Sequence, residues 1–122
     1  MSLNDELSDY ALSLPGAYMT EQWQGAHVFK ISDDKMFAIL RPDSPKILVK
    51  LPDIEVRAML VEAGVAEIHS HLKRGSWANL LTGKLDLEDI LARLTISYEL
   101  VRTGLSKSRQ AALPPYPKFS GK

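Results

Sequence analysis

From His27 to Leu51 the chain holds three short runs rich in apolar residues, each ended by residues that stop a strand. His27, Phe29 and Ile31 alternate with Val28, Lys30 and Ser32, the period of a half-buried strand. Ser32-Asp33-Asp34-Lys35 is turn chemistry, and Lys35–Leu40 reads as a second strand completing a hairpin. Pro42 and Pro45 lack the N–H donor a ladder needs, so the Arg41–Pro45 segment must be a loop. Lys46–Leu51 is then a third strand, with Ile47, Val49 and Leu51 on one face. Three neighbouring strands with tight connections form an antiparallel meander whose apolar face needs a cover.

The flanking segments supply that cover. Leu3, Leu7, Tyr10, Ala11 and Leu14 fall at helical spacing before Pro15-Gly16 ends the pattern. Pro52-Asp53 is a helix-start signal for Val56, Met59, Leu60 and Ala63, up to Gly64. Asp86 is placed to cap a third helix whose stripe is Leu87, Ile90, Leu91, Leu94, Tyr98 and Val101, ending near Gly104. Between the last two helices, Glu67–Leu72 and Ser76–Leu81 read as short strands. The order α-β-β-β-α-β-β-α predicts an α+β two-layer sandwich: an antiparallel sheet of about five strands with helices on one face. Residues 1–104 form the single domain; residues 105–122 form a basic, proline-containing tail with one further helical turn and a polyproline-type run.

Charge is unevenly spread along the 122 residues. Fifteen acidic and 15 basic side chains cancel overall, yet residues 1–99 hold all the acids and carry a net −5. Residues 100–122 carry +5, through Arg102, Lys107, Arg109, Lys118 and Lys122. A second acid-free stretch, Ile68–Leu85, holds His69, His71, Lys73, Arg74 and Lys84. The absence of cysteine excludes disulfides, thiolate metal sites and a Cys nucleophile, and fits a reducing compartment. No apolar run reaches the length of a membrane span, and the N-terminus does not open as a signal peptide. The expectation is a soluble, cytoplasmic protein.

Motifs for catalysis are scarce. If His69-Ser-His71 lay on a strand, its two imidazoles would share a face and offer a chelating pair, but the sequence supplies no third ligand. Asp33-Asp34 is read as turn capping rather than a catalytic carboxylate pair. Thr82-Gly83-Lys84 lacks the upstream glycine of a phosphate loop. Trp23 and Trp77 are read first as core residues, with base or ligand stacking as the functional alternative. Lys35 and Arg41 bracket the second strand, and Lys46 and Lys50 share a face of the third, so these loops offer cations to phosphates.

Taken together, the pieces resemble the MmcQ/YjbR family of small bacterial proteins. The resemblance spans roughly residues 7–103: Leu14-Pro15-Gly16-Ala17, His27–Ile31, Lys35–Ile39, Ile47–Leu51, His71 six residues before Trp77, and Ser97-Tyr98. It implies a frataxin-like α/β sandwich and DNA binding through a double-wing arrangement. Lys73-Arg74 departs from the family's Asn-Lys step, adding a cation and removing an amide. The resemblance assigns no catalytic residue, cofactor or metal.

The expected function is therefore a non-catalytic binding protein, with DNA as partner through phosphate contacts. The nucleic-acid or anion-binding set is Lys35, Arg41, Lys46, His71, Lys73, Arg74, Trp77 and Lys84. The alternative is a small-molecule or protein-binding module with a cationic, aromatic pocket near His71 and Trp77. No membrane partner is expected, and the chain is expected to be a monomer or homodimer.

Overall fold

Three of the four α-helices among the described residues begin at a side chain that accepts from their free N–H groups. At α1 (Leu3–Ser13), Ser2 Oγ accepts from Asp5 N–H at 3.1 Å while Asp5 Oδ2 accepts from Ser2 N–H at 3.3 Å, a reciprocal capping box. Asp53 caps α2 (Ile54–Glu62), accepting from Val56 N–H at 2.8 Å. Asp86 stands at the N-cap of α3 (Leu87–Thr103), but its side chain makes no capping hydrogen bond. Ser106 caps α4 (Lys107–Ala112), one helical turn and a half in the basic tail. The computed structural model describes residues 2–116. Lys118 and Lys122 of the tail lie outside them.

Six strands make one antiparallel sheet: β1 (Tyr18–Gln22), β2 (Ala26–Ile31), β3 (Lys35–Leu40), β4 (Lys46–Lys50), β5 (Ala66–Glu67) and β6 (Trp77–Leu81). They lie in the order β1-β2-β3-β4-β6-β5. The meander is the one read from the sequence, extended by β1, which sequence periodicity missed. In β1 the strand is an edge with burial on alternate residues only at its end, so Tyr18-Met19-Thr20-Glu21-Gln22 carries no apolar alternation. Its pairing with β2, from Tyr18–Lys30 to Gln22–Ala26, holds it by backbone bonds instead. The strand expected over Glu67–Leu72 is only two residues long, because residues 68–75 leave the sheet as a loop.

The result is an α+β two-layer sandwich with one helix-covered face. Leu7 and Ala11 of α1, Leu60 of α2 and Ile90, Leu94 and Tyr98 of α3 pack on Phe29, Ile31, Leu40, Ile47, Val49, Ala78 and Leu80. Burying a side chain of this size contributes about 1.5–3 kcal/mol relative to exposure. One irregularity shapes the centre. Pairing steps from Phe29–Ala38 to Lys30–Met36, so Phe37 has no opposite residue. This bulge sends both Phe37 and Ala38 into the core, where the Phe37 ring meets Tyr98 edge-on at 5.4 Å. No helix among the described residues is long and apolar enough to cross a membrane.

The tail packs on the domain as far as it is described. Leu105 is buried in the core cluster, and the Arg102 side chain is 5% exposed. Arg102 donates to Tyr98 Oη at 2.8 Å and to the Pro114 carbonyl at 2.8 Å. Gly16, at φ +80°, lies under this strap: a Cβ there would stand 2.8 Å from Leu113 Cδ2. Leu113 itself has polyproline-type dihedrals, φ −82° and ψ 154°.

Candidate functional site

The sheet's second face carries no helix, and side chains from three strands line a groove of about 750 Å³ there. Its floor follows from strand alternation. Met36 and Ile39 of β3 and Leu48 of β4 point away from the helices, because their neighbours Phe37, Leu40, Ile47 and Val49 point toward them. Asn79 of β6 stands opposite Leu48 in the pairing and adds an amide to the floor. Lys46 and Ser44 close one end beside Arg41.

Two irregular segments form the walls. The β1–β2 turn places Trp23 at φ +47° and Gln24 at φ +62°, followed by Gly25 at +96°. A bulky side chain in the left-handed region costs on the order of 1 kcal/mol or more and persists only where surroundings impose it. Here Arg41 Nη1 donates to the Trp23 carbonyl at 3.0 Å, tying the turn to the end of β3. The indole lines the groove and is 57% exposed, so Trp23 is a surface residue and not the core residue expected from sequence.

The opposite wall is the 68–75 loop, carrying His69, His71 and Leu72. Arg57 of α2 pins its far end, donating to the carbonyls of Lys73 at 3.0 Å and Trp77 at 3.3 Å. Ser76 closes the loop against β4, its hydroxyl donating to the Leu51 carbonyl at 2.5 Å. Because residues 69–71 are loop and not strand, the shared-face argument for the two histidines does not hold. Tertiary folding nevertheless brings their rings to 5.7 Å between centroids. The backbone N–H of His71 donates to His69 Nδ1 at 3.1 Å. Burial, reinforced by repulsion from His71 and Arg41, holds His69 below its ordinary pKa of 6.5. His27 pairs with Leu40, on the helix-covered side of the sheet, and does not join them. Among the described residues no group of three or more His, Asp or Glu is placed to hold a metal.

Of the expected nucleic-acid or anion-binding set, the groove gathers Arg41, Lys46 and His71. Lys46 is partnered, its ammonium 2.8 Å from Glu67. Lys35 starts β3 at the end opposite Arg41, separated by six residues or about 20 Å of strand. The meander puts its two successive loops at opposite ends of the sheet. Lys73 and Arg74 are exposed on the loop beyond the groove, and Lys84 is exposed in the 3-10 turn after β6. Trp77 stands opposite Lys50 in the pairing and does not line the groove; the groove's aromatic side chain is Trp23. His69, Trp23 and Asn79 were not in the expected set. The left-handed turn that exposes Trp23 had one sequence signal, the Gly25 that follows; Arg57 had none, since its role depends on α2 crossing beside the loop.

The YjbR family model matches residues 12–100. Among solved structures, the chain is similar to the Deinococcus radiodurans protein DR2400, which carries the DUF419 domain. That similarity has a TM-score of 0.75 at 21% sequence identity and covers 88% of this chain and 84% of the other. It shows a shared fold. No curated protein matches at a significant level.

Proposed function

We propose that this chain, which belongs to the YjbR family, is a binding module that takes a small molecule in the groove on its helix-free sheet face. One observation carries the reading: a concave, largely apolar floor is walled by convergent polar groups and by an indole held out in a strained turn. Its volume, about 750 Å³, falls in the range that encloses small ligands. Backbone strain of this kind is commonly kept where a site uses it.

DNA binding is the competing reading, suggested by the family resemblance. Phosphate contact along a duplex favours several unpaired cations on one face. Here Lys46 is engaged by Glu67, Arg109 lies 3.6 Å from Asp33, and Lys35 stands at the far end of β3. This distribution favours the small-molecule reading.

Thermal-shift screening of the full chain against small metabolites separates the two. A ligand at about 100 times its Kd stabilises the folded state by about 2.7 kcal/mol. Ile39→Glu, which places a charge on the groove floor, is expected to abolish the shift. Fluorescence anisotropy with duplex and single-stranded DNA is expected to stay flat at low salt. The reverse pattern, with no stabilising metabolite and DNA binding whose log K falls with log salt at a slope of about −4 to −5, would favour nucleic acid instead.

A further inference from the structure

Resting on the reading of the groove as a binding site, the geometry points to a ligand class: a small organic anion. Its charged head lies against Arg41 and His69, and its flat apolar body lies on Met36, Ile39 and Leu48.

The head end is defined by donors without matching acids. Arg41 uses one N–H on the Trp23 carbonyl, and a guanidinium has five. Among the described residues no carboxylate forms an ion pair with it. His69 is a donor of a less obvious kind. Since Nδ1 accepts the His71 backbone N–H, a neutral ring must carry its hydrogen on Nε2. His69 therefore offers an N–H to an anion without first taking up a proton. The charged and titratable groups around it are His71 on its own loop, Arg41 at the end of β3, and Lys46 of β4, the last joined to Glu67 of β5. A cation entering here would meet Arg41 and two imidazoles, with Glu67 already engaged.

The body end excludes a bare inorganic ion as the best occupant. Three aliphatic or thioether side chains make the floor, and burying them against water is favourable only if the ligand has apolar surface of its own. The groove is bordered by the Trp23 indole, which suits a ring system. The Asn79 amide provides both a donor and an acceptor to read a polar edge on that ring.

The test is ¹H–¹⁵N NMR titration of the full chain at pH 7.5 with four matched probes: 2-naphthoate, 2-naphthyl phosphate, neutral 2-naphthamide and 2-naphthylmethylammonium. At least one anion is expected to shift the Trp23 indole N–H and the Asn79 side-chain resonances, and comparison of the two anions tells which head is preferred. The amide and the ammonium are expected to bind at least about tenfold more weakly, the factor that loss of a charged hydrogen bond implies. His69→Leu should weaken the preferred anion by a similar factor, whereas His69→Gln, which keeps an N–H donor, should stay within about threefold. Unchanged unfolding midpoints show that both variants fold. Equal binding of the amide or the ammonium in the groove, or equal anion binding by His69→Leu, would overturn the anion assignment while leaving the groove as the site. Failure of all four probes to shift any groove resonance would overturn the groove reading as well.

Discussion

The hydroxyl of Ser97, on helix α3, donates to the Phe37 carbonyl at 2.6 Å, at the bulge where β3 loses its pairing partner. The same oxygen accepts the Lys50 backbone N–H of β4 at 2.8 Å. β3 and β4 pair directly only from Ala38–Val49 to Leu40–Ile47, so a helix side chain continues the ladder where the strands stop. Buried backbone groups need partners, and here a single serine supplies two. The bulge also turns Phe37 to the core and leaves Met36 facing the groove, so this repair helps to position the site floor.

Ser97→Ala is therefore expected to strand a carbonyl and an N–H together. Ser97 is fully buried, and the cost should be about 2–3 kcal/mol. Urea denaturation is the measurement, with a lowered midpoint at unchanged slope. A loss below about 0.5 kcal/mol would show that water or relaxed pairing replaces the hydroxyl.

Arg102→Leu should release the strap formed by residues 105–116. It removes hydrogen bonds to Tyr98 Oη and to the Pro114 carbonyl, together with the guanidinium stacked 5.7 Å from the Tyr116 ring. Global stability is expected to fall by about 2–3 kcal/mol. Amide exchange should speed up most in residues 105–116. Gly16→Ala approaches the same contact from the other side, through a Cβ clash with Leu113 and a disfavoured φ, at about 1–2 kcal/mol. If both variants left exchange of that segment unchanged, the strap would not depend on these contacts.

Alkaline pH should loosen the strap as well. Burial of the Tyr116 phenol, and its hydrogen bond to Glu99 at 2.7 Å, raise its pKa well above the usual 10. Tyr98 is raised too, chiefly by burial. A group whose folded pKa is raised stabilises fully below its unfolded pKa and loses that contribution as pH climbs. Unfolding free energy is expected to decline from about pH 10 upward. Tyr116→Phe should flatten that decline, and denaturation curves from pH 8 to 11.5 provide the check.

His69 is expected to titrate below 6.5 in the free protein, because burial, His71 and Arg41 all oppose its charge. An anion bound between it and Arg41 should raise the midpoint. The sign for stability is opposite to that of the tyrosines: the unfolded chain protonates first, so His69 lowers stability as pH falls through 6.5. NMR titration of the ring protons, with and without 2-naphthoate, measures both. A midpoint that stays put when the anion binds would separate His69 from the head of the ligand.

Periodicity together with turn, proline and cap residues identified α1 to α3 and the central meander, because burial on one face forces a repeat of about 3.6 residues in a helix and two in a strand. The Ile90, Leu94, Tyr98 stripe carries the helical signal strongly, whereas Val28–Ile31 and Ile47–Val49 are buried on both faces and read as strands by their short apolar runs and the breakers beside them. Edge strand β1 was illegible, since backbone bonds to one neighbour impose no side-chain pattern. The motif residues Pro15, Gly16, Ser97 and Tyr98 were visible, but their reasons were not: each acts on a partner at least 47 residues away. The groove shows the same division. The sequence by itself determined that Arg41 would lie at a loop, that the sheet would have one apolar face for helices, and that cysteine chemistry was closed to it; it placed the two histidines on a strand, where the structure has a loop. Only the tertiary structure decided which of those groups meet. Strand order separated Lys35 from Arg41, while a loop folded back over the open face brought His69 and His71 to Arg41. Local patterns record which residues are buried; proximity between distant segments follows from topology, which no single segment encodes.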